Sequence, residues 1–241
     1  MTTAPSPIAL VLLPGMDGTG DLFEPFLAAW GPATPVQVLR YPLDRAAGYD
    51  ELIAFAREAL PTQHDFVLVG ESFSGPIAMA LAAEAPPHLA GLVLCCTFSR
   101  WPLPWFRGFA PLLRWWPWKP PLSALAWCLL GDRRAPAWRA RLSQAMAKVS
   151  IQALRARALG VLTVDQTAAL ARVPVPVLYL RALHDRVVPR SAWRHVAHTR
   201  PDAQCIELPG PHFLLQVEPL RAAQAIRAFV DRLPRRREAR S

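Results

Sequence analysis

The sequence predicts an α/β fold, a doubly wound and mostly parallel sheet with an inserted helical segment, and three observations carry that prediction. Six short apolar runs, at residues 8–13, 36–41, 66–69, 92–96, 175–180 and 204–208, have the continuous hydrophobic character of strands buried on both faces. Stretches with helical spacing separate them, at 21–30, 49–60, 74–83, 191–198 and 217–233. Gly- and Pro-rich turns follow the first, third and sixth runs, at the strand ends where such a sheet gathers its binding groups. At 241 residues and 52% hydrophobic, the chain suits one large domain with an insertion.

The first run ends at Pro14-Gly15 and opens into Pro14-Gly15-Met16-Asp17-Gly18-Thr19-Gly20. Glycines in that position let the backbone approach a ligand closely. No Lys-Ser/Thr pair follows, as a phosphate-cradling P-loop requires, and the spacing does not make the dinucleotide fingerprint Gly-x-Gly-x-x-Gly.

The third run leads directly into Gly70-Glu71-Ser72-Phe73-Ser74-Gly75 and then a helical stretch. This reads as a nucleophile elbow, in which a serine sits in a strained strand-to-helix turn and its neighbours two residues away must be small. Gly70 and Ser74 meet that demand. The turn would lift the Ser72 hydroxyl clear of the sheet. It would also leave the Phe73 N–H, at a helix N-terminus, facing any negative charge that develops on a bound carbonyl oxygen. A second donor is expected from the glycine-rich loop after the first run, with the Met16 N–H in position to supply it.

A serine nucleophile needs a base and a carboxylate that orients the base. Asp185 follows the fifth run, in the turn His184-Asp185-Arg186-Val187-Val188-Pro189. His212 follows the sixth, in Pro209-Gly210-Pro211-His212-Phe213. Each has a bland reading alone, Asp185 as a turn or cap residue and His212 as a loop histidine. Together, Ser72, Asp185 and His212 share strand-end placement and turn context, in the chain order a doubly wound hydrolase sheet uses. His64 and His88 precede strands, and His195 and His198 fall in a helical stretch, so none of these competes for the role.

The strand and helix alternation breaks once, between residues 99 and 172. The segment opens with Trp101-Pro102-Leu103-Pro104-Trp105, continues through Trp115-Trp116-Pro117-Trp118-Lys119-Pro120-Pro121, and becomes Ala- and Arg-rich from Ala135. It is expected to be a helical lid, with residues 1–98 and 173–241 forming the core. Seven of the nine tryptophans lie in it, at 101, 105, 115, 116, 118, 127 and 138. It also holds twelve Lys or Arg against two acids, a surplus of ten, so the net charge of +9 belongs to this segment alone. The tail at 235–240 reads as a solvated basic end.

Four cysteines, Cys95, Cys96, Cys128 and Cys205, lack both a disulfide framework's spacing and a metal-site Cys-x-x-Cys, and no His-Glu-x-x-His occurs. No metal and no cofactor is expected. The first seven residues carry no basic stretch, the apolar run after them is too short for a signal-peptide core, and no run is long enough to span a bilayer. A cytoplasmic protein is the expectation, with the basic lid able to bring it to a membrane surface.

These motifs resemble the α/β-hydrolase superfamily. The matching residues are Pro14-Gly15 in the oxyanion loop, the elbow at 70–75, Asp185 with Val187-Val188-Pro189, and Gly210-Pro211-His212-Phe213. The pairing of Leu-Pro-Gly-Met-Asp-Gly-Thr-Gly with Gly-Glu-Ser-Phe-Ser-Gly is most similar to small bacterial hydrolases related to plant esterase/lipase/thioesterase proteins, some of which act as phytyl ester synthases. The resemblance covers most of residues 8–97 and 173–232 and fails in the lid. It departs at Pro14, where a histidine often precedes the oxyanion glycine, and at Ser74, which replaces the second elbow glycine. It also implies a trimmed sheet that starts at the family's third strand.

The expected activity is serine-dependent hydrolysis of an ester or thioester with a hydrophobic acyl or alcohol group. Aromatic walls suit such a chain. A basic aromatic lid suits either an anionic bilayer or an acidic partner such as an acyl carrier protein. Two alternatives stand beside this: an acyltransferase using the same triad, and a non-catalytic protein that binds membrane or partner through the lid. Nucleic acid is not expected, because a lid above a serine nucleophile is an odd place for it.

Overall fold

The computed structural model describes residues 7–101, 108, 110, 111, 119–131 and 136–234. Six strands form one sheet: β1 (Ala9–Leu13), β2 (Val36–Val38), β3 (Phe66–Glu71), β4 (Leu89–Cys95), β5 (Val177–Ala182) and β6 (Gln204–Leu208). Their order is β2-β1-β3-β4-β5-β6 and every neighbouring pair is parallel. All six apolar runs are strands, so the fold class is a doubly wound α/β sheet. Boundaries shift at the edge. The run at 36–41 pairs only through Val38, because β1 turns away at Pro14 and Tyr41 instead donates its N–H to Gly18 O at 2.8 Å.

The helices between strands follow the spacing expected of them: α1 (Glu24–Trp30), α2 (Tyr49–Glu58) and α3 (Gly75–Ala83). Between β4 and β5 lie α4 (Leu122–Leu130), α5 (Pro136–Lys148), α6 (Ile151–Thr163) and α7 (Thr167–Arg172). The chain then adds α8 (Arg190–Thr199), α9 (Leu214–Val217) and α10 (Pro219–Val230). Alternate residues of β1 divide between two cores. Ala9, Val11 and Leu13 join Leu52, Ile77, Leu81, Leu170 and Val196 on the face covered by α2, α3, α7 and α8. Leu10 and Leu12 join Phe23, Phe26, Trp30, Ile226 and Phe229 on the face covered by α1 and α10. A strand apolar at every position is thus what a sheet covered on both faces demands.

Among the described residues, helices α4 to α7 leave and rejoin the sheet at one place, where Arg100 and Asp165 form an antiparallel bridge and Gln166 N–H donates to Ser99 O at 2.8 Å. Helices α4 and α5 build a small core of their own, with Ala126, Leu130, Leu142 and Ala145 packed against Leu22 and Phe213. No helix among the described residues is long and apolar enough to cross a membrane. All four cysteines are free thiols.

Candidate active site

Ser72 lies one residue beyond β3 at φ 50°, in the left-handed region that side chains rarely adopt. Close packing holds it there. A Cβ on Gly70 would come within 2.7 Å of Ala78 Cβ and 2.8 Å of Ser74 O, and one on Gly75 would overlap the Thr97 side chain. The turn is also bonded from outside. The Thr97 hydroxyl donates to Ser72 O, and the Tyr49 hydroxyl donates to Phe73 O at 3.0 Å while its ring stacks on Phe73 at 4.7 Å.

His212 and Asp185 arrive from the ends of β6 and β5. Ser72 Oγ lies 2.8 Å from His212 Nε2, and His212 Nδ1 lies 3.0 and 2.9 Å from the two Asp185 oxygens. Asp185 Oδ1 also accepts the Val187 and Val188 N–H groups, both at 2.8 Å. The structure therefore brings the three sequence-selected side chains into one hydrogen-bonded line over 140 residues of chain. His212 is buried, which disfavours its charged form, yet the adjacent Asp185 carboxylate and the Glu71 charge more than offset this and raise its pKa. Burial pushes Asp185 up, but His212 and the two backbone donors outweigh it and hold the carboxyl below its usual range.

Met16 and Phe73 lie on loops that leave neighbouring strands, since Leu13 at the end of β1 registers with Gly70 in β3. Ser74 ties the two loops together: its hydroxyl donates to Pro14 O and lies 2.6 Å from the Tyr41 hydroxyl. A glycine at 74 would lack this bond, so the departure from the family pattern has a structural use here. Among the described residues, neither the Met16 nor the Phe73 N–H is taken by a protein acceptor.

Glu71, beside the serine, was not singled out by the sequence. It is buried, it accepts Gln216 Nε2 at 2.8 Å, and burial pushes its carboxyl up to about 7. A lone acid at a strand end offers no pattern from which that burial could be read. The remaining histidines lie elsewhere: His88 pairs with Asp65 at 3.1 Å and His195 meets the Thr167 hydroxyl at 2.9 Å. Among the described residues no three His, Cys, Asp or Glu side chains are grouped to hold a metal ion. An open groove of about 610 Å³ between Leu43, Asp44, Lys119 and Lys148 is lined by none of Ser72, Asp185 or His212.

Of the tryptophans in the segment expected to be a lid, Trp105, Trp115, Trp116 and Trp118 lie outside the described residues. Trp101 packs edge-on against Phe98, Trp138 carries Arg141 over its ring, and Trp127 is 48% exposed with Arg186 4.6 Å above its ring. Helix α4 reaches the site directly, since Leu129 O accepts the N–H of Phe213, the residue after His212.

Sheet and strand-end site together have the organisation of an α/β hydrolase. The chain belongs to the alpha/beta hydrolase family, whose sequence model matches residues 8–225. Its fold is similar to that of an enol-lactonase from Burkholderia xenovorans (TM-score 0.78, 18% identity, 96% of this chain and 94% of that one). It is also similar to a thermophilic esterase from Thermogutta terrifontis (0.76, 22%, 95% and 91%) and a lipase-esterase related protein from Clostridium acetobutylicum (0.76, 14%, 93% and 95%). No curated protein matches the sequence.

Proposed function

We propose that the protein hydrolyses a carboxylic ester or thioester with a hydrophobic acyl or alcohol group, through an acyl-enzyme on Ser72. The observation that carries this is the unbroken line Ser72 Oγ, His212, Asp185 at three strand ends, with the serine in a strained turn. Family membership and the fold shared with an esterase and an enol-lactonase support it.

In this mechanism Ser72 Oγ attacks the carbonyl carbon as its proton passes to His212 Nε2, and Asp185 stabilises the imidazolium through Nδ1–H. The Met16 and Phe73 N–H groups would stabilise the oxyanion. His212 then returns the proton to the leaving oxygen or sulfur, the acyl group stays on Ser72, and water activated by the same imidazole releases the acid. The helices between β4 and β5 act as the lid. Trp127 on these helices, with Arg186 of the core over its ring, marks a basic aromatic surface suited to an anionic bilayer or an acidic acyl carrier.

A panel of esters and thioesters of increasing chain length, run with Ser72→Ala, tests the reading. Turnover should fall at least about 10⁴-fold in the variant while the thermal midpoint holds. A fluorophosphonate probe should label the wild type at Ser72. Full activity in Ser72→Ala would sink the proposal, and alcoholysis outrunning hydrolysis would redirect it to acyl transfer.

A further inference from the structure

Arg157, on α6 in the inserted segment, is 0% exposed. Burying a guanidinium costs several kcal/mol unless strong partners receive it, and here the two terminal nitrogens are bonded while Nε has no partner among the described residues. Its partners are unusual, because among the described residues no carboxylate pairs with it directly and all three of its bonds go to backbone carbonyls. Nη1 donates to Met16 O at 2.8 Å and Asp17 O at 2.9 Å, and Nη2 donates to Pro42 O at 2.7 Å. The guanidinium also sits 5.7 Å from the Tyr41 ring centroid.

Met16 and Asp17 are the central residues of a turn closed by Gly18 N–H to Gly15 O at 3.0 Å. In a trans peptide the N–H points opposite its carbonyl. The bond on Gly15 O therefore fixes the direction of the Met16 N–H, and the arginine fixes the next two carbonyls of the same turn. Gly18 has φ +70°, and a Cβ there would lie 2.6 Å from Nη1, so the turn is closed down onto the guanidinium. Ser74 secures Pro14 O from the other side. The four carbonyls at 14–17 are thus all engaged, with two of them held by one side chain from a different part of the chain.

We propose that Arg157 is a positioning residue for the oxyanion hole: it orients the turn that presents the Met16 N–H, and so makes the reaction depend on docking of the inserted helices. This rests on the acyl-transfer reading of Ser72. Loosening a donor, as opposed to deleting it, should cost about 10- to 100-fold in kcat. KM should move less than about threefold, because the arginine touches no substrate.

The test compares full-length wild type, Arg157→Gln and Arg157→Lys. Each is assayed with a short-chain p-nitrophenyl ester and with two inhibitors of equal length. One is a trifluoromethyl ketone, which forms a hemiketal oxyanion on serine, and the other is the corresponding carbinol, which forms no adduct. Expected for Arg157→Gln is a loss of kcat matched by an equal weakening of the ketone, with carbinol affinity unchanged. The thermal midpoint falls under either role, because three buried hydrogen bonds are lost, but a merely structural role would weaken both inhibitors alike. Lysine cannot grip Met16 O and Asp17 O in one plane, so Arg157→Lys should lose about 3- to 10-fold in the same selective way. It decides the matter if the glutamine variant fails to fold. A folded variant with wild-type kcat, or an equal loss for both inhibitors, overturns the inference. Ketone adduct formation in the wild type that is absent in Ser72→Ala separates this outcome from failure of the Ser72 reading itself.

Discussion

Replacing Asp185 by asparagine tests the site through a tautomer. Oδ1 of Asp185 accepts two backbone N–H groups at 2.8 Å, so an asparagine keeps its carbonyl oxygen there and turns its NH₂ toward His212. That group occupies the position of Oδ2, 2.9 Å from Nδ1, and donates where the carboxylate accepted. His212 must then carry its proton on Nε2, the atom 2.8 Å from Ser72 Oγ, and can no longer take the serine proton. In another serine hydrolase the equivalent change costs about 10⁴-fold, so a loss of about 10³- to 10⁴-fold in kcat is expected, or about 4–5.5 kcal/mol of transition-state stabilisation. Steady-state hydrolysis of a p-nitrophenyl ester gives the magnitude. Nitrogen-15 imidazole shifts report which ring nitrogen is protonated. The backbone bonds are kept, so the thermal midpoint should fall by only a few degrees. A kcat within tenfold of wild type, with Nε2 still unprotonated, would refute the tautomer argument.

The other predictions concern charge and close packing. The base works when His212 is neutral, and its pKa is raised, so kcat/KM should climb with pH through a midpoint above 6.5. Glu71→Gln removes one charge that favours the imidazolium, and should move that midpoint down; an unmoved midpoint would dismiss Glu71 as a contributor. The same variant tests stability, because a carboxyl raised from 4.5 to about 7 makes the folded state lose stability as pH rises through that window. Glu71→Gln should therefore gain on the wild type between those pH values, by up to roughly 3 kcal/mol, in parallel urea melts. Gly75→Ala places a methyl against Thr97, whose hydroxyl holds Ser72 O, and should cost about 1–3 kcal/mol of folding stability and lower kcat as well. An unchanged urea midpoint would show that the elbow relaxes more easily than its packing indicates.

Much of the fold and the candidate triad was legible because local rules carry it. Strands buried on both faces must be apolar throughout, so the central runs at β1, β3 and β4 stand out without knowledge of their partners, whereas the edge strands β2 and β6 are only partly buried and admit polar residues such as Gln37 and Glu207. A strained turn leaves room only for small side chains, so Gly70 and Ser74, with Gly75 behind them, mark Ser72. A parallel sheet puts every strand's carboxyl end on one edge, which is why Asp185 and His212 could be selected by position alone. What stayed illegible depends on side-chain direction across long separations. Tyr41, Tyr49 and Thr97 bond the elbow from three other places in the chain, and nothing in their neighbourhoods announces it.

Arg157 shows the division most clearly. In the sequence it is one of twelve basic residues in a segment whose charge suggests a solvated or docking surface, and helical spacing leaves its direction open. The sequence by itself determined the sheet, the order of the strand-end groups and the class of chemistry they permit, since these follow from periodicity and turn sterics. Only the tertiary structure decided which arginine between β4 and β5 turns inward, because that depends on three free carbonyls from residues 16, 17 and 42 converging where α6 docks. Burial of a charge is set by the partners available in space, and they come from parts of the chain more than a hundred residues away.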